Sequence, residues 1–336
     1  MEKIDYQAEI LCNRISKRFK HLKKWAKRCN ISSFRIYDKD IPEIPLAIDF
    51  YEGWKVDEDS NFTEKFLVFY LYERPYEKDE AEEFSWLQIL SFKVANLLEV
   101  SANNIFLKIR KKQKGENQYE KENNNSVLIK VVEQGHLFLV NLSNYLDTGL
   151  FFDHRPLRKK VEESAKGKSV LNLFCYTASF SVYAGKAGAT KVTSVDLSNT
   201  YLSWAKKNFA LNGLNAESEK FEFINGDVKS FLQKTKEKYD IIILDPPTFS
   251  NSKKTQTDLD INRDWPVFVD LCSKLLNDDG VLYFSTNSKK LRFDENLLPQ
   301  GFIAKDITDA TIPEDFKNKK IHKCWQIRKE NWYIFF

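Results

Sequence analysis

Several common features are missing from this 336-residue chain, and each absence removes a class of protein. No run of 18 apolar residues occurs, so nothing reads as a membrane-spanning helix, and the N-terminal MEKIDYQAEI lacks the apolar centre of a secretory signal. The five cysteines (Cys12, Cys29, Cys175, Cys272, Cys324) are widely spaced and form no C-x-x-C pair, which argues against a zinc or redox motif. No G-x-G-x-x-G is present to bring backbone against a pyrophosphate. The expectation is a soluble, cytoplasmic chain with reduced, mostly buried thiols and no resident metal.

What is present is unevenly placed charge. The net charge is only +4, yet residues 1–30 hold nine Lys/Arg against three acids, so this segment is +6 and the remainder is about −2. Leu11, Ile15, Leu22, Ala26 and Cys29 fall at helical spacing there, with cations on the other faces. Such a helix can be a solvated surface element, a membrane-surface helix or a phosphate-binding arm. Eight cations from residue 14 to 28, with no acid among them, favour the arm, and the narrow apolar stripe disfavours the membrane. The RNA-contacting candidates are Arg14, Lys17, Arg18, Lys23, Lys24, Lys27 and Arg28.

Residues 31–140 read as a small α+β domain. FRIYDKD, PLAIDFY, KFLVFYLY, NIFLKIR, SVLIKVV and HLFLVN are β-branched and aromatic strand signals. AEEFSWLQILSFKVANLLEV reads as a helix with Phe84, Leu87, Leu90, Val94, Leu97 and Leu98 on its apolar side. The loop KKQKGENQYEKENNN adds Lys111 and Lys112 to the RNA-contacting candidates, beside Arg110 and with Tyr119 as a stacking ring.

From about residue 141 to 336 strand and helix signals alternate, which predicts a doubly wound parallel sheet with ligands at the C-terminal ends of its strands. The first strand ends in NLFCYTASF, the second at Asp196, the third at Asp227 and the fourth at Asp245. A carboxylate after the second strand suits the two hydroxyls of a ribose, and one a strand further suits an adenine amine. Because the first turn has no glycine, a nucleoside cofactor without phosphates, S-adenosylmethionine, fits better than a dinucleotide. DPPTF then leaves the buried strand YDIIIL. Two prolines fix an extended exit and free their carbonyls toward the crevice, and Phe249 supplies a face for a flat heteroaromatic base.

NRISKRFKHLKKWAKRCNI, FRIYDKDIPE, LKIRKKQKGENQYEK, VNLSNYLDTGLFFDHR, NLFCYTASFSVYAG, DLSNTYLSWAKKNFALNGL, ILDPPTFSNSKK and IHKCW, in this order along nearly the whole chain, closely resemble one family. It is the guanine-N7 methyltransferase half of the bifunctional 23S rRNA methyltransferases, the RlmKL family. The resemblance implies a Rossmann-like class I S-adenosylmethionine-dependent methyltransferase sheet, a smaller N-terminal α+β domain, a basic helical arm, and a target hairpin near the peptidyl-transferase centre. It places Asp196 and Leu197 at the ribose, Asp227 and Val228 at the adenine, and Phe174, Cys175, Tyr176, Thr177 and Ala178 along the methionine portion. It has the segment from Asp147 to Arg155 closing over the cofactor, with Asp153 and Arg155 as partners for the cofactor's charged amino acid end. Asp245, Pro246, Pro247 and Phe249 become the target-base site, with Asp245 also at the cofactor. Ala178 stands where the family usually has glycine. The implied partners are 23S rRNA or a large-subunit precursor, and a guanine-N2 methyltransferase half, separate or fused, which this sequence does not contain. The chain is then either a stand-alone enzyme or a fragment of a longer one.

Chemistry points the same way. Guanine N7 is an unprotonated lone pair, so its methylation is an in-line displacement with no proton to remove, and none of His21, His136, His154 and His322 reads as part of a triad. Cytosine-carbon methylation needs a cysteine nucleophile. The fourth and fifth strands end instead in DPPT and FSTNS, and Cys324 reads as core. Two rivals stay open: a methyltransferase for exocyclic amines of adenine or guanine, and a non-catalytic RNA-binding assembly factor.

Overall fold

The computed structural model describes residues 2–56, 62–73, 78–110, 126–250 and 258–330. The chain forms two compact units, Met1–Phe152 with Glu314–Asn318, and Asp153–Pro313 with Lys319–Phe336.

In the first unit, helix α1 (Glu2–Arg28) is followed by strands β1 (Ser33–Asp38), β2 (Leu46–Lys55) and β3 (Glu64–Tyr72), helix α2 (Glu80–Leu98), and strands β4 (Ile105–Arg110), β5 (Leu128–Glu133) and β6 (His136–Asn141). The sheet runs β4-β3-β2-β5-β6, with β1 also paired to β2, and only β3 and β4 are parallel. Ala8, Leu11, Ile15, Leu22, Trp25 and Ala26 of α1 are buried in one cluster with Trp86, Leu87, Leu90 and Val94 of α2 and with Phe34, Ile36 and Phe69 of the sheet. The helix expected as an arm over residues 1–30 is therefore a core element of this unit, with only its basic side in solvent. Asn30 ends it in the left-handed region (φ 52°), where Ile31 N–H donates to the Ala26 carbonyl and Asn30 N–H to that of Lys27, a Schellman closure.

On α2 the apolar side is rotated from the expectation. Phe84 and Leu97 are 47% and 41% exposed, while Trp86, Ser91 and Ala95 are buried. A spacing of three to four is satisfied on both sides of this apolar helix, so periodicity alone does not choose the buried one. The unit also extends past residue 141, the expected boundary. Tyr51 Oη lies 3.0 Å from Thr148 Oγ1, the rings of Tyr51 and Phe152 are 5.4 Å apart, and Arg110 donates to Asp147 at 2.7 Å. Arg35 makes two bonds to Asp49 (2.8 and 3.1 Å), and its N–H donates to the buried Asp315 carboxylate at 3.0 Å, which fastens the returning segment Glu314–Asn318.

Gly53 lies where β2 passes from pairing with β3 to pairing with β5. A Cβ there would stand 2.3 Å from the Lys130 carbonyl oxygen, a backbone atom that cannot swing away. Gly53→Ala is expected to destabilise this unit by about 3 kcal/mol, as overpacking does. Urea unfolding checks it: the midpoint should fall with an unchanged slope.

The second unit opens with α3 (Arg155–Ala165), β7 (Ser169–Leu173), α4 (Ser179–Lys186), β8 (Lys191–Asp196), α5 (Asn199–Leu211), β9 (Phe221–Asn225), α6 (Val228–Lys234) and β10 (Tyr239–Leu244). The short pair β11 (Phe249–Ser250) and β12 (Leu259–Asp260) follows, then α7 (Ile261–Lys274), β13 (Leu276–Thr286), β14 (Phe302–Asp306), α8 (Thr308–Thr311) and β15 (Lys323–Lys329). The seven-stranded sheet has the order β14-β15-β13-β10-β7-β8-β9. Five strands are parallel as expected, but β15 runs antiparallel between β13 and β14, so the sheet is mixed rather than wholly parallel. The uninterrupted YDIIIL run has a simple cause. Ile242 and Leu244 enter the core on one face of the sheet, and Ile241 and Ile243 enter the core on the other.

Candidate active site

Strand β7 lies between β8 and β10, and the chain winds outward from it in both directions, so the connections leaving β7 and β10 part at their C-terminal ends. Doubly wound sheets hold their ligands in the crevice at such a switch point. The turn after β7 forms one wall. Phe174, Tyr176 and Ala178 all have positive φ (54°, 52° and 59°), a conformation that costs an L-residue about 1–2 kcal/mol. Hydrogen bonds hold it: Cys175 N–H to the Val195 carbonyl (3.0 Å), Tyr176 N–H to Asp196 Oδ2 (2.9 Å), Ala178 N–H to the Cys175 carbonyl (2.8 Å) and Asn208 Nδ2 to the Thr177 carbonyl (3.0 Å). Ala178 thus takes the left-handed conformation that glycine adopts freely.

Asp196, at the tip of β8, binds the turn through Oδ2 and accepts from Ser198 N–H through Oδ1 at 2.9 Å. Burial pushes its pKa up, against the backbone N–H groups of Ser198, Tyr176 and Leu197, which pull it down. Three backbone N–H groups leave the partly exposed carboxylate with acceptor capacity for a ligand hydroxyl. The edge-to-face rings of Tyr176 and Tyr201, 4.5 Å apart, stand beside it. Leu197 is half-buried beyond the tip, Asp227 caps α6 by accepting from Ser230 N–H at 2.8 Å, and Val228 is buried behind it. Cys175, Thr177 and Ala178 are buried, so they offer a ligand backbone rather than side chains.

At the tip of β10, Ser285 donates to Asp245 Oδ1 at 2.6 Å, and His154 Nε2 stands 3.3 Å from Oδ2. Pro246 is buried, Pro247 is half-buried, and Thr248 Oγ1 lies 2.6 Å from Asn287 Oδ1. Phe249 pairs with Asp260 in the β11–β12 ladder and is 56% exposed.

Of Asp153 and Arg155, expected at the charged end of the cofactor, Asp153 is partly exposed and Arg155 is not. Arg155 is 1% exposed and presents no surface to a ligand. Asp153 Oδ2 lies 3.2 Å from His322 Nδ1 and 3.9 Å from His154 Nε2. The imidazoles are stacked with centroids 4.6 Å apart, and His322 Nε2 reaches Thr311 Oγ1 at 2.9 Å. The expectation that no histidine enters a linked acid–imidazole arrangement is thereby corrected. His154 and His322 lie in the stretches FFDHR and IHKCW, but no local pattern signals that they meet. Asp147, the other end of the expected closing segment, belongs to the first unit and pairs with Arg110 there.

Asp153, His154 and His322 bring three potential metal donors within 4.8 Å of one another. Two of those atoms, His322 Nδ1 and Asp153 Oδ2, are hydrogen-bonded to each other. Moreover, the second ring nitrogen of His154, which a metal-bound histidine normally anchors, has no partner. Burial alone would raise the pKa of Asp153, but His154, His322 and Arg158 more than offset it and hold the carboxyl well below its usual range. A depressed acid stabilises the fold above its unfolded value, near pH 4, and that stability is lost as pH falls toward the folded value. Urea midpoints at about pH 5 and pH 3 should therefore drop further in the wild type than in Asp153→Asn; equal drops would contradict this.

Within the first unit, Lys17, Lys23, Lys24, Lys27 and Arg28 lie on the exposed side of α1, and Arg14, also exposed, is 3.8 Å from Asp40. Arg18 is corrected as a free cation, because it is half-buried and donates to the Asp315 carbonyl. Arg110 is likewise engaged, with Asp147 and over the ring of Tyr70 at 5.0 Å. Lys111, Lys112 and Tyr119 lie outside the described residues.

Comparison with known proteins decides the family. Residues 101–294 match the S-adenosylmethionine-dependent methyltransferase family. Ribosomal RNA large subunit methyltransferase K of Neisseria meningitidis is 46% identical over 322 residues, 95% of this chain and 87% of that protein. The chain belongs to this methyltransferase K family. Ribosomal RNA large subunit methyltransferase K/L of Hahella chejuensis is 44% identical over 98% of this chain, which spans only 44% of that longer protein. Among solved structures, SMU.776 in complex with SAH has a TM-score of 0.68 at 22% identity, over 95% of this chain and 81% of that one. A SAM-dependent methyltransferase from Agrobacterium tumefaciens has a TM-score of 0.58 at 20% identity, over 89% and 90%. The fold is that of the S-adenosylmethionine-dependent methyltransferases, and the cofactor of the family is S-adenosylmethionine. The remaining acceptor capacity of the Asp196 carboxylate and the glycine-free turn fit a nucleoside that carries no phosphate. Among the described residues no helix is long and apolar enough to cross a membrane.

Proposed function

We propose that this chain methylates guanine N7 in 23S rRNA, free or in a large-subunit precursor, by direct in-line displacement. The supporting observation is the exit of β10, where a carboxylate bonded by Ser285 and faced by His154, and two prolines, stand next to an exposed aromatic ring. Bound S-adenosylmethionine supplies a methyl group on a sulfonium. Asp196 accepts from the ribose hydroxyls, and Asp227 faces the adenine. Phe249, or Tyr176, stacks on the target base, and the proline carbonyls with Asp245 fix its edge. Taking that base out of an RNA helix costs a few kcal/mol, and the exposed lysines of α1 offset this through phosphate contacts. N7 carries no proton, so positioning and desolvation are the whole of the protein's task.

One observation favours the rival exocyclic-amine reading, since His154 with Asp245 resembles a base pair for proton removal. Transfer of labelled methyl to unmodified large-subunit rRNA, followed by nucleoside mass spectrometry, separates the readings. 7-Methylguanosine, with alkali-sensitive cleavage at the site, is the expected product. N2-methylguanosine or N6-methyladenosine would overturn the proposal, and cofactor binding without any transfer would favour the assembly-factor reading.

A further inference from the structure

The linked carboxylates and imidazoles at the tip of β10 have a polarity that the ring geometry determines. Nε2 of His154 faces two carboxylates, Asp245 Oδ2 at 3.3 Å and Asp153 Oδ2 at 3.9 Å. Nδ1 of the same ring is buried and meets no partner. A proton on Nδ1 would bury an unsatisfied donor and turn the Nε2 lone pair toward two anions, each a costly arrangement. A proton on Nε2 turns positive charge density toward both carboxylates and leaves only a lone pair unpartnered. The ring itself is held flat against His322, whose Nδ1 reaches Asp153 at 3.2 Å and whose Nε2 reaches Thr311 at 2.9 Å. Asp245 thus accepts the Ser285 hydroxyl on one oxygen and has His154 Nε2 at 3.3 Å from the other.

We propose that His154 is a positioning residue that locks the Asp245 carboxylate through Nε2–H, backed by Asp153, His322 and Thr311, and that it is not a general base. Neither ring nitrogen is turned to take a proton from a bound nucleobase, because one faces Asp245 and the other is sealed in the core. The titratable and charged groups facing the ring are Asp245 at the β10 tip, Asp153 beside it, Arg158 on α3 and His322 ahead of β15. Burial lowers the pKa of His154 while Asp245 and Asp153 raise it, with His322 and Arg158 on the side of burial, and the net direction is down.

The inference rests on the proposed methyl transfer, and its test separates the two. Glutamine places an amide N–H near the position of Nε2 but does not titrate; leucine fills the space without a donor. With S-adenosylmethionine and unmodified large-subunit rRNA, His154→Leu should lower kcat about 100-fold, the scale of a misplaced catalytic group, with cofactor KM within about twofold. His154→Gln should recover to within about fivefold of wild type with the same rate–pH profile, because no essential proton leaves through the ring. If His154→Gln is as slow as His154→Leu, or loses the acidic limb of the profile, the residue acts as a base and the inference fails. Cofactor calorimetry confirms that each variant is folded; should His154→Leu not fold, His322→Asn, which retains a donor to Asp153, replaces it with an expected loss of about tenfold. Nitrogen shifts of labelled histidine supply a readout independent of RNA. The neutral Nε2–H tautomer of His154 at pH 7 supports the inference even if the wild type methylates nothing, in which case the functional reading alone falls; the Nδ1–H tautomer refutes the inference.

Discussion

Asp196→Ala is expected to weaken S-adenosylmethionine binding by at least about 100-fold. The carboxylate is proposed to accept both ribose hydroxyls, and a hydrogen bond to a charged group contributes about 1.5–3 kcal/mol, so losing two removes about 3 kcal/mol or more. A second loss comes from the turn after β7, where Asp196 accepts from Tyr176 N–H and Ser198 N–H. Without that anchor the left-handed residues Phe174 and Tyr176 are free to relax, and the wall facing the cofactor changes shape. Asp196→Asn should not rescue, because its single oxygen serves one backbone N–H while its NH2 opposes the other. Isothermal titration on folded variants checks both, and affinity within about threefold of wild type would show that the ligand does not use this carboxylate.

Replacing Lys17, Lys23, Lys24, Lys27 and Arg28 together by alanine is expected to weaken RNA binding by about 100-fold near physiological salt. These side chains share the solvent side of α1, and each phosphate they neutralise adds about 0.7–0.9 to the slope of log K against log[salt]. The variant's slope should be shallower by about 3.5–4.5, with unaltered cofactor affinity, since its changes lie on the surface of the first unit and the cofactor residues lie in the second. Arg18→Ala should behave differently. It removes a bond to the Asp315 carbonyl, so its main effect should be on the stability of the first unit rather than on the salt slope. Equal slopes for the five-fold variant and the wild type would exclude α1 from RNA binding.

The parts of this molecule that local chemistry dictates were readable along the chain. The six strands of the first unit and the five parallel strands of the second announce themselves as aromatic and β-branched runs, and the acids at 196, 227 and 245 stand at strand tips because alternating sheets place them there. Other features depend on contacts between distant segments. β15 runs antiparallel and packs against β13, a pairing that no local signal carries. Phe84 and Leu97 satisfy helical spacing yet face solvent. Arg18 and Arg155 have the charge of ligand-binding residues, but folding engages the first with Asp315 and buries the second. His322 joins Asp153 from 169 residues away, so the group that holds Asp245 emerges only when β15 is laid into the sheet.

The most direct test of the central claim is a crystal structure of the chain with S-adenosylhomocysteine. The account predicts the ribose hydroxyls on the Asp196 carboxylate, the adenine beside Asp227, and the homocysteine sulfur opening toward Asp245 and Phe249. Density for the ligand away from these strand tips, or a ribose that does not touch Asp196, would contradict it.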